Sequence, residues 1–133
     1  MYQTVLLALL PLAGVILGAF LQSTRESKNQ KKALKIKAYT DYLQAAATLS
    51  SKDQSKHVDA RVLLTDAKIR IAIYGSKEVI TNIAAFDRMG SFLTNADGMN
   101  AFMKITSAMR AEDTKDEIEK ADMAQLIFGR DLP

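Results

Sequence analysis

The chain contains no cysteine and only one histidine, His57. Without thiols it cannot form a disulfide bond, a thiolate zinc site or a cysteine nucleophile. One imidazole cannot make a histidine-rich metal site, and its acidic neighbours, Asp53 and Asp59, are typical of a solvated loop end rather than of a catalytic pair. The sequence therefore predicts no catalytic residue, no metal site and no other cofactor, and we expect the protein not to be an enzyme.

Charged side chains are also absent from the first 24 residues. Residues 4–21 form an apolar run of 18 residues, in which only Thr4 carries a polar side chain. As a helix, such a run is about 27 Å long, close to the ~30 Å hydrocarbon core of a bilayer. The pattern predicts a transmembrane anchor over residues 1–24. The alternative is a cleaved signal peptide, but no cation precedes the run and no small-residue cleavage site follows it.

A basic juxtamembrane segment, residues 25–37, follows this run directly. It has a net charge of +5, against +3 for the whole chain. Cations beside an apolar run favour the cytoplasmic side, so the N-terminus is expected outside and the C-terminal domain in the cytoplasm. The cations either set this topology only or also contact anionic lipid headgroups. They are Arg25, Lys28, Lys31, Lys32, Lys35 and Lys37.

Because the basic excess is one local cluster, the isoelectric point near 9.2 does not predict a nucleic-acid partner. Within the apolar run, Gly14 and Gly18 have the GxxxG spacing. Two glycines one turn apart let a second helix approach closely, which predicts a homodimer through this face. The alternative is a chance spacing in a glycine-containing anchor that serves only as a tether.

The remainder of the chain, residues 38–133, has the apolar spacing of helices. The first helix is expected to continue to about residue 50, and later helices are predicted at 57–74, 77–93 and 99–111. A capping-box pair, Thr114 and Glu117, predicts a last helix that ends before Gly129. Between the second and third helices, Gly75 is predicted to be left-handed and Ser76 to cap the next helix. The fold class is therefore all-α, an N-terminal transmembrane helix followed by a small antiparallel helical bundle.

The stretch DARVLLTDAKIRIAIYGSKEVITNIAAF, residues 59–86, resembles a pattern in small bacterial and phage-encoded proteins. Those proteins join an apolar N-terminal segment and a basic junction to helices around an Ile-Tyr-Gly-Ser corner. The resemblance implies a helical bundle in a single-pass protein of the bacterial inner membrane, and it supplies no catalytic residue. We therefore expect a non-enzymatic, membrane-anchored interaction protein whose cytoplasmic helical domain binds a protein partner or its own copies. The alternative is a small membrane-active factor, such as a phage-type exclusion or defence component.

Overall fold

A computed structural model of the chain describes the backbone of residues 2–130 and the side chains of residues 26–130. This part of the chain is helical and contains no β-strand, which confirms the all-α class. The chain divides into two compact units, Met1–Lys37 and Ala38–Pro133. The helices are α1 (Tyr2–Ser50), α2 (His57–Tyr74), α3 (Lys77–Arg88), α4 (Ala96–Ala111) and α5 (Lys120–Phe128), with a short 3₁₀ turn, Gln54–Lys56, before α2.

The prediction of a single-pass inner-membrane protein is corrected by this structure. Among the described residues, no helix is both long enough and apolar enough to cross a bilayer. The physical reason is the charge on the described part of α1, which carries five lysines between Glu26 and Ala38. The side chains of residues 4–21, on which the anchor prediction rests, and of Arg25 lie outside the described part. The predicted association through Gly14 and Gly18 falls in the same stretch.

The core of the second unit is built by side chains from the C-terminal part of α1 and from α2, α3 and α4. Phe86 and Phe102 join α3 to α4, with ring centroids 5.8 Å apart, and Phe102 also contacts Phe128 at 6.4 Å. Burying a side chain of this size contributes about 1.5–3 kcal/mol, so the cluster holds four helices in one bundle. Its buried members are Ala38, Tyr39, Tyr42, Ala46, Ala67, Ile71, Val79, Ile83, Phe86, Phe102, Ile105 and Ala108.

Two predicted helix ends differ from the observed ones at the connection between α3 and α4. α3 ends at Arg88 rather than at residue 93, because Gly90 and Ser91 take positive φ angles of 96° and 57°. A left-handed residue cannot continue a right-handed helix. α4 begins at Ala96 rather than at residue 99, because the Asn95 side chain accepts a hydrogen bond from the Gly98 N–H at 2.7 Å. An asparagine in this capping position satisfies an otherwise unpaired donor of the first turn.

The predicted capping box of the last helix does not form. The Thr114 hydroxyl instead accepts a hydrogen bond from the Asp116 N–H at 3.3 Å, which makes a local turn. α5 therefore starts later, at Lys120. Its end agrees with the prediction, since Gly129 takes a left-handed φ of 69°.

The corner between α2 and α3 has the predicted residues but a different geometry. Gly75 is extended, with φ −73° and ψ 159°, so the prediction of a left-handed residue was wrong. Glycine is required here by space, because a Cβ atom would lie 2.6 Å from the Ile71 carbonyl oxygen. The predicted cap is confirmed, since the Ser76 hydroxyl accepts from the Val79 N–H at 3.2 Å.

We predict that Gly75→Ala lowers the free energy of unfolding by about 1–3 kcal/mol, the usual cost of overpacking a close contact. Ile71 is only 2 % exposed, so it has little room to move away from the added methyl group. Lys77→Ala, two residues later on the exposed side of α3, is the matched control and should stay within about 0.5 kcal/mol. Urea unfolding of the full chain measures both, and equal midpoints for Gly75→Ala and the parent would refute the steric explanation.

Candidate interaction surface

α2 presents apolar side chains on two opposite sides. One side enters the core through Ala60, Ala67 and Ile71. The opposite side, here called the α2 face, carries four branched side chains that remain largely exposed. They are Val58 (69 % exposed), Val62 (66 %), Ile69 (58 %) and Ile73 (67 %).

The spacing of these residues explains why they share one side. At about 100° per residue, the four Cβ directions fall within an arc of about 60°. The buried Ala67 and Ile71 point about 180° away from that arc. The helix therefore has a filled face and an unfilled face, and the fold itself uses only the first.

Ion pairs hold α2 against its neighbours and fix the direction of the α2 face. The Arg70 guanidinium contacts Asp41 of α1 at 2.7 Å and Asp66 of α2 itself at 2.8 Å. Asp41 is only 9 % exposed, and the Arg70 guanidinium compensates its buried charge. Lys68 contacts Asp87 of α3 at 2.8 Å. α2 is thus tied to α1 on one side and to α3 on the other.

Besides these ion pairs, the Tyr39 side chain of α1 forms hydrogen bonds to two other parts of the bundle. Its hydroxyl donates to the Glu112 carboxylate at 2.5 Å and accepts from the Ser76 N–H at 3.1 Å. Burial, followed by the hydrogen bond to Glu112, raises the pKa of Tyr39 to about 12. A phenol that acts as a base or nucleophile needs a lowered pKa. This environment instead favours a neutral Tyr39 side chain that links helices by hydrogen bonds.

An open cleft of about 980 Å³ lies along α4 and the segment that leads to α5. The Asn100 side chain borders it, and its Oδ1 atom is buried without a hydrogen-bond partner. Charged residues of both signs line the cleft, so it has no single electrostatic preference. In the part of the chain that the structure describes, no group of three or more histidine, aspartate or glutamate side chains is placed to hold a metal ion. The charged residues that line the cleft are Glu78, Lys104, Arg110, Lys115, Asp116, Glu117 and Lys120.

Of the basic residues singled out by the sequence, the structure describes the side chains of five lysines of α1. Lys28, Lys31, Lys32 and Lys37 are exposed on α1 and Lys35 is half-buried, all within the unit Met1–Lys37. Their role in topology or at anionic headgroups, and the helix association through Gly14 and Gly18, stay predictions.

His57 lies at the start of α2, and its ring Nε2 donates to the Ser51 carbonyl oxygen at 3.0 Å. This bond ties the loop between α1 and α2. Asp53, for its part, accepts from the backbone N–H and the hydroxyl of Ser55. The two side chains therefore both bond to groups of the loop between α1 and α2.

The α2 face is the feature that sequence reasoning missed. The signal was present, because Val58, Val62 and Ile69 lie off the core stripe of an amphipathic helix. Apolar residues on both sides of a helix indicate either complete burial or a second contact surface. The sequence alone does not say which, since it does not show how many helices surround α2.

No known protein family, curated protein or solved structure matches this chain. The resemblance of residues 59–86 to bacterial and phage-encoded helical proteins therefore stays a prediction.

We predict that Tyr39→Phe destabilises the bundle by about 1–3 kcal/mol at neutral pH, because it leaves the Ser76 N–H without its acceptor. The phenol has a pKa near 10.0 when unfolded and about 12 when folded. Its contribution is therefore complete below pH 10 and falls as the pH rises from 10 to 12, by up to about 1.4 kcal/mol per pH unit.

The measurement is the free energy of unfolding of parent and Tyr39→Phe across pH 8 to 12. The difference in free energy of unfolding between the parent and Tyr39→Phe should become smaller above pH 10. Tyr42 is present in both proteins, so its own alkaline titration cancels in the difference. Parallel stability curves throughout would show that the Tyr39 hydroxyl is not held as described.

Proposed function

We propose that the unit Ala38–Pro133 is a non-enzymatic protein-interaction module that docks other protein chains on the α2 face. The observation that carries this proposal is the exposure of Val58, Val62, Ile69 and Ile73, each 58 % or more, on one side of one helix. Contiguous apolar patches on otherwise charged surfaces mark interaction sites more often than they occur by chance.

Energetics support a docking role for this face. Burying one valine or isoleucine side chain contributes about 1.5–3 kcal/mol, and four on the same side of one helix together offset part of the entropy of association. The side chains of the α2 face stay more than half exposed in the isolated chain, so most of that free energy is gained only when another chain covers them.

Rigidity of the face supports the proposal further. The pairs of Arg70 with Asp41 and of Lys68 with Asp87 attach α2 to two neighbouring helices. A partner therefore meets a surface that is already ordered, which lowers the entropic cost of binding. Charged residues on both edges, Asp59 and Asp66 on one and Arg61 and Lys68 on the other, supply the polar rim that protein interfaces have.

The alternative function, a small membrane-active factor, required a membrane-spanning segment. We therefore do not propose it for this protein. Interaction through α2 needs no such segment, because all of its residues belong to the second unit.

The proposal predicts that a photo-crosslinking amino acid at Val62 of the full chain captures discrete protein adducts in living cells. The matched control is the same amino acid at Leu126 of α5, which is 83 % exposed but lies outside the α2 face. Adding Ile69→Lys to the Val62 variant should reduce the adducts at least about tenfold, because docking would bury a charge. Equal labelling from both positions, or adducts that survive Ile69→Lys, would refute docking at this face.

A further inference from the structure

Exposed residues of α2 follow the heptad spacing of a coiled coil. Val58, Val62, Thr65, Ile69 and Ala72 succeed one another at intervals of 4, 3, 4 and 3, and all five are exposed. We call them the α2 seam. In this register Val62 and Ile69 occupy a positions, and Val58, Thr65 and Ala72 occupy d positions. In parallel coiled coils, β-branched residues at a positions are typical of two-stranded pairs, and the charges at e and g positions set the orientation.

Thr65 is the one polar member of the seam, and its hydroxyl already donates to the Arg61 carbonyl oxygen at 3.0 Å. Its donor is therefore satisfied within the helix. A second helix that covers Thr65 does not have to replace that hydrogen bond.

The two edges of the seam carry opposite charges. The g positions hold Arg61 and Lys68, and the first two e positions hold Asp59 and Asp66. The Asp66 side chain is 61 % exposed even though it contacts Arg70, so it remains accessible to a second partner. One edge of α2 is thus basic and the other is acidic.

A helix with one basic and one acidic edge is complementary to itself in one orientation. Resting on the proposed function, we propose that the partner of the α2 face is a second copy of this chain, with the two α2 helices paired in parallel. In a parallel pair each g residue faces the e residue five positions later on the other helix. Arg61 of each copy then faces Asp66 of the other, and the aliphatic stem of Lys68 covers Ile73 of the other.

The antiparallel arrangement is disfavoured by the same charges. It brings g positions against g positions and e positions against e positions. Arg61 then faces Lys68 of the second copy, and Asp59 faces Asp66. Like charges in contact oppose association, so the edges select the parallel orientation.

The length of α2 limits the expected affinity of the dimer. Its 18 residues span about 27 Å, or two heptads of seam, which bury less than the ~1,600 Å² of a standard interface. We therefore expect a reversible dimer with a dissociation constant on the order of micromolar. Exposed charge pairs of this kind contribute only about 0.2–1 kcal/mol each, so they select the orientation while the seam supplies the affinity.

The absence of cysteine from the chain allows a direct test of the orientation. In a parallel dimer Val58 lies beside Val58 of the other copy. In the antiparallel arrangement it lies opposite Ile69, about 16 Å further along the helix. The full chain carrying Val58→Cys should form a disulfide-linked dimer within minutes of mild oxidation.

The controls separate the seam from other contacts. Leu126→Cys should cross-link at least about tenfold more slowly, and so should Val58→Cys combined with Ile69→Lys. Equal rates for Val58→Cys and Leu126→Cys would overturn pairing along the α2 seam.

Charge exchange provides an independent test. Arg61→Glu places two acidic residues together and Asp66→Lys places two basic ones together, so each variant alone should dimerise about three- to tenfold more weakly. A mixture of the two variants should recover the parental affinity, because both inter-chain pairs again have opposite signs. Energy transfer between fluorescently labelled full chains measures the dimerisation of each variant alone and of their mixture. Stronger pairing of Arg61→Glu alone would show the antiparallel arrangement, in which residue 61 faces Lys68, and would overturn the proposal.

The outcomes also separate this inference from the proposed function. If Val62 captures a different protein in cells while the Val58→Cys chains fail to cross-link, self-pairing is wrong and the interaction module stands. If neither experiment gives an adduct, both are wrong.

Discussion

The Tyr39 hydroxyl group is the contact on which the arrangement of the bundle depends. It bonds to the backbone N–H of Ser76 and to the carboxylate of Glu112, which lie 37 and 73 residues further along the chain. A single buried oxygen thereby joins α1 to the first turn of α3 and to the end of α4. Removing it leaves a helix-start donor without a partner, and buried unpaired donors are costly. The position of α2 follows, because the tight corner at Gly75 connects α2 directly to Ser76.

Once α2 is placed, its two apolar sides have different roles. Ile71 is only 2 % exposed, whereas Ile69 and Ile73, two residues to either side, are more than half exposed. Within the described part of the chain, other helices cover Ile71 but leave most of Ile69 and Ile73 exposed. This residual apolar surface is what a partner, and in our inference a second copy, would bury. In the isolated chain this exposed apolar surface favours association with other chains. The charged residues at its edges limit that association and select its orientation.

Some charged residues of α2 contact neighbouring helices, and others lie on the exposed edges of the α2 face. Arg70 points to the neighbouring helix and compensates the buried Asp41 carboxylate, which makes it a structural residue. Asp59 and Arg61 lie on the exposed edges of the α2 face, where their charges affect the approach of another chain. Asp66 does both, since it contacts Arg70 and remains 61 % exposed. A substitution at Arg70 should therefore act on folding, whereas one at Arg61 should act on association.

The sequence alone determined the features that depend on neighbouring residues. The bounds of α2, the Ser76 cap and the helix end at Gly129 follow from apolar periodicity and from local capping residues, so a local pattern predicts them. Tertiary structure decided the rest. Gly75 is extended, and the Ser76 N–H that follows it bonds to Tyr39 of α1, which is distant in the chain. The Thr114 capping box is replaced by a local turn. The membrane localisation predicted from an apolar run is likewise corrected by the structure.

The interaction surface was decided in the same way. Local sequence makes Ile69, Ile71 and Ile73 equally apolar, and no pattern of three residues says which of them another helix will cover. Burial depends on contacts between elements that are distant in the chain, here α1, α3 and α4 around one side of α2. The heptad spacing was legible in the sequence, but it gained meaning only when the bundle left that side of the helix open, because an apolar stripe is a docking surface only where nothing in its own fold covers it.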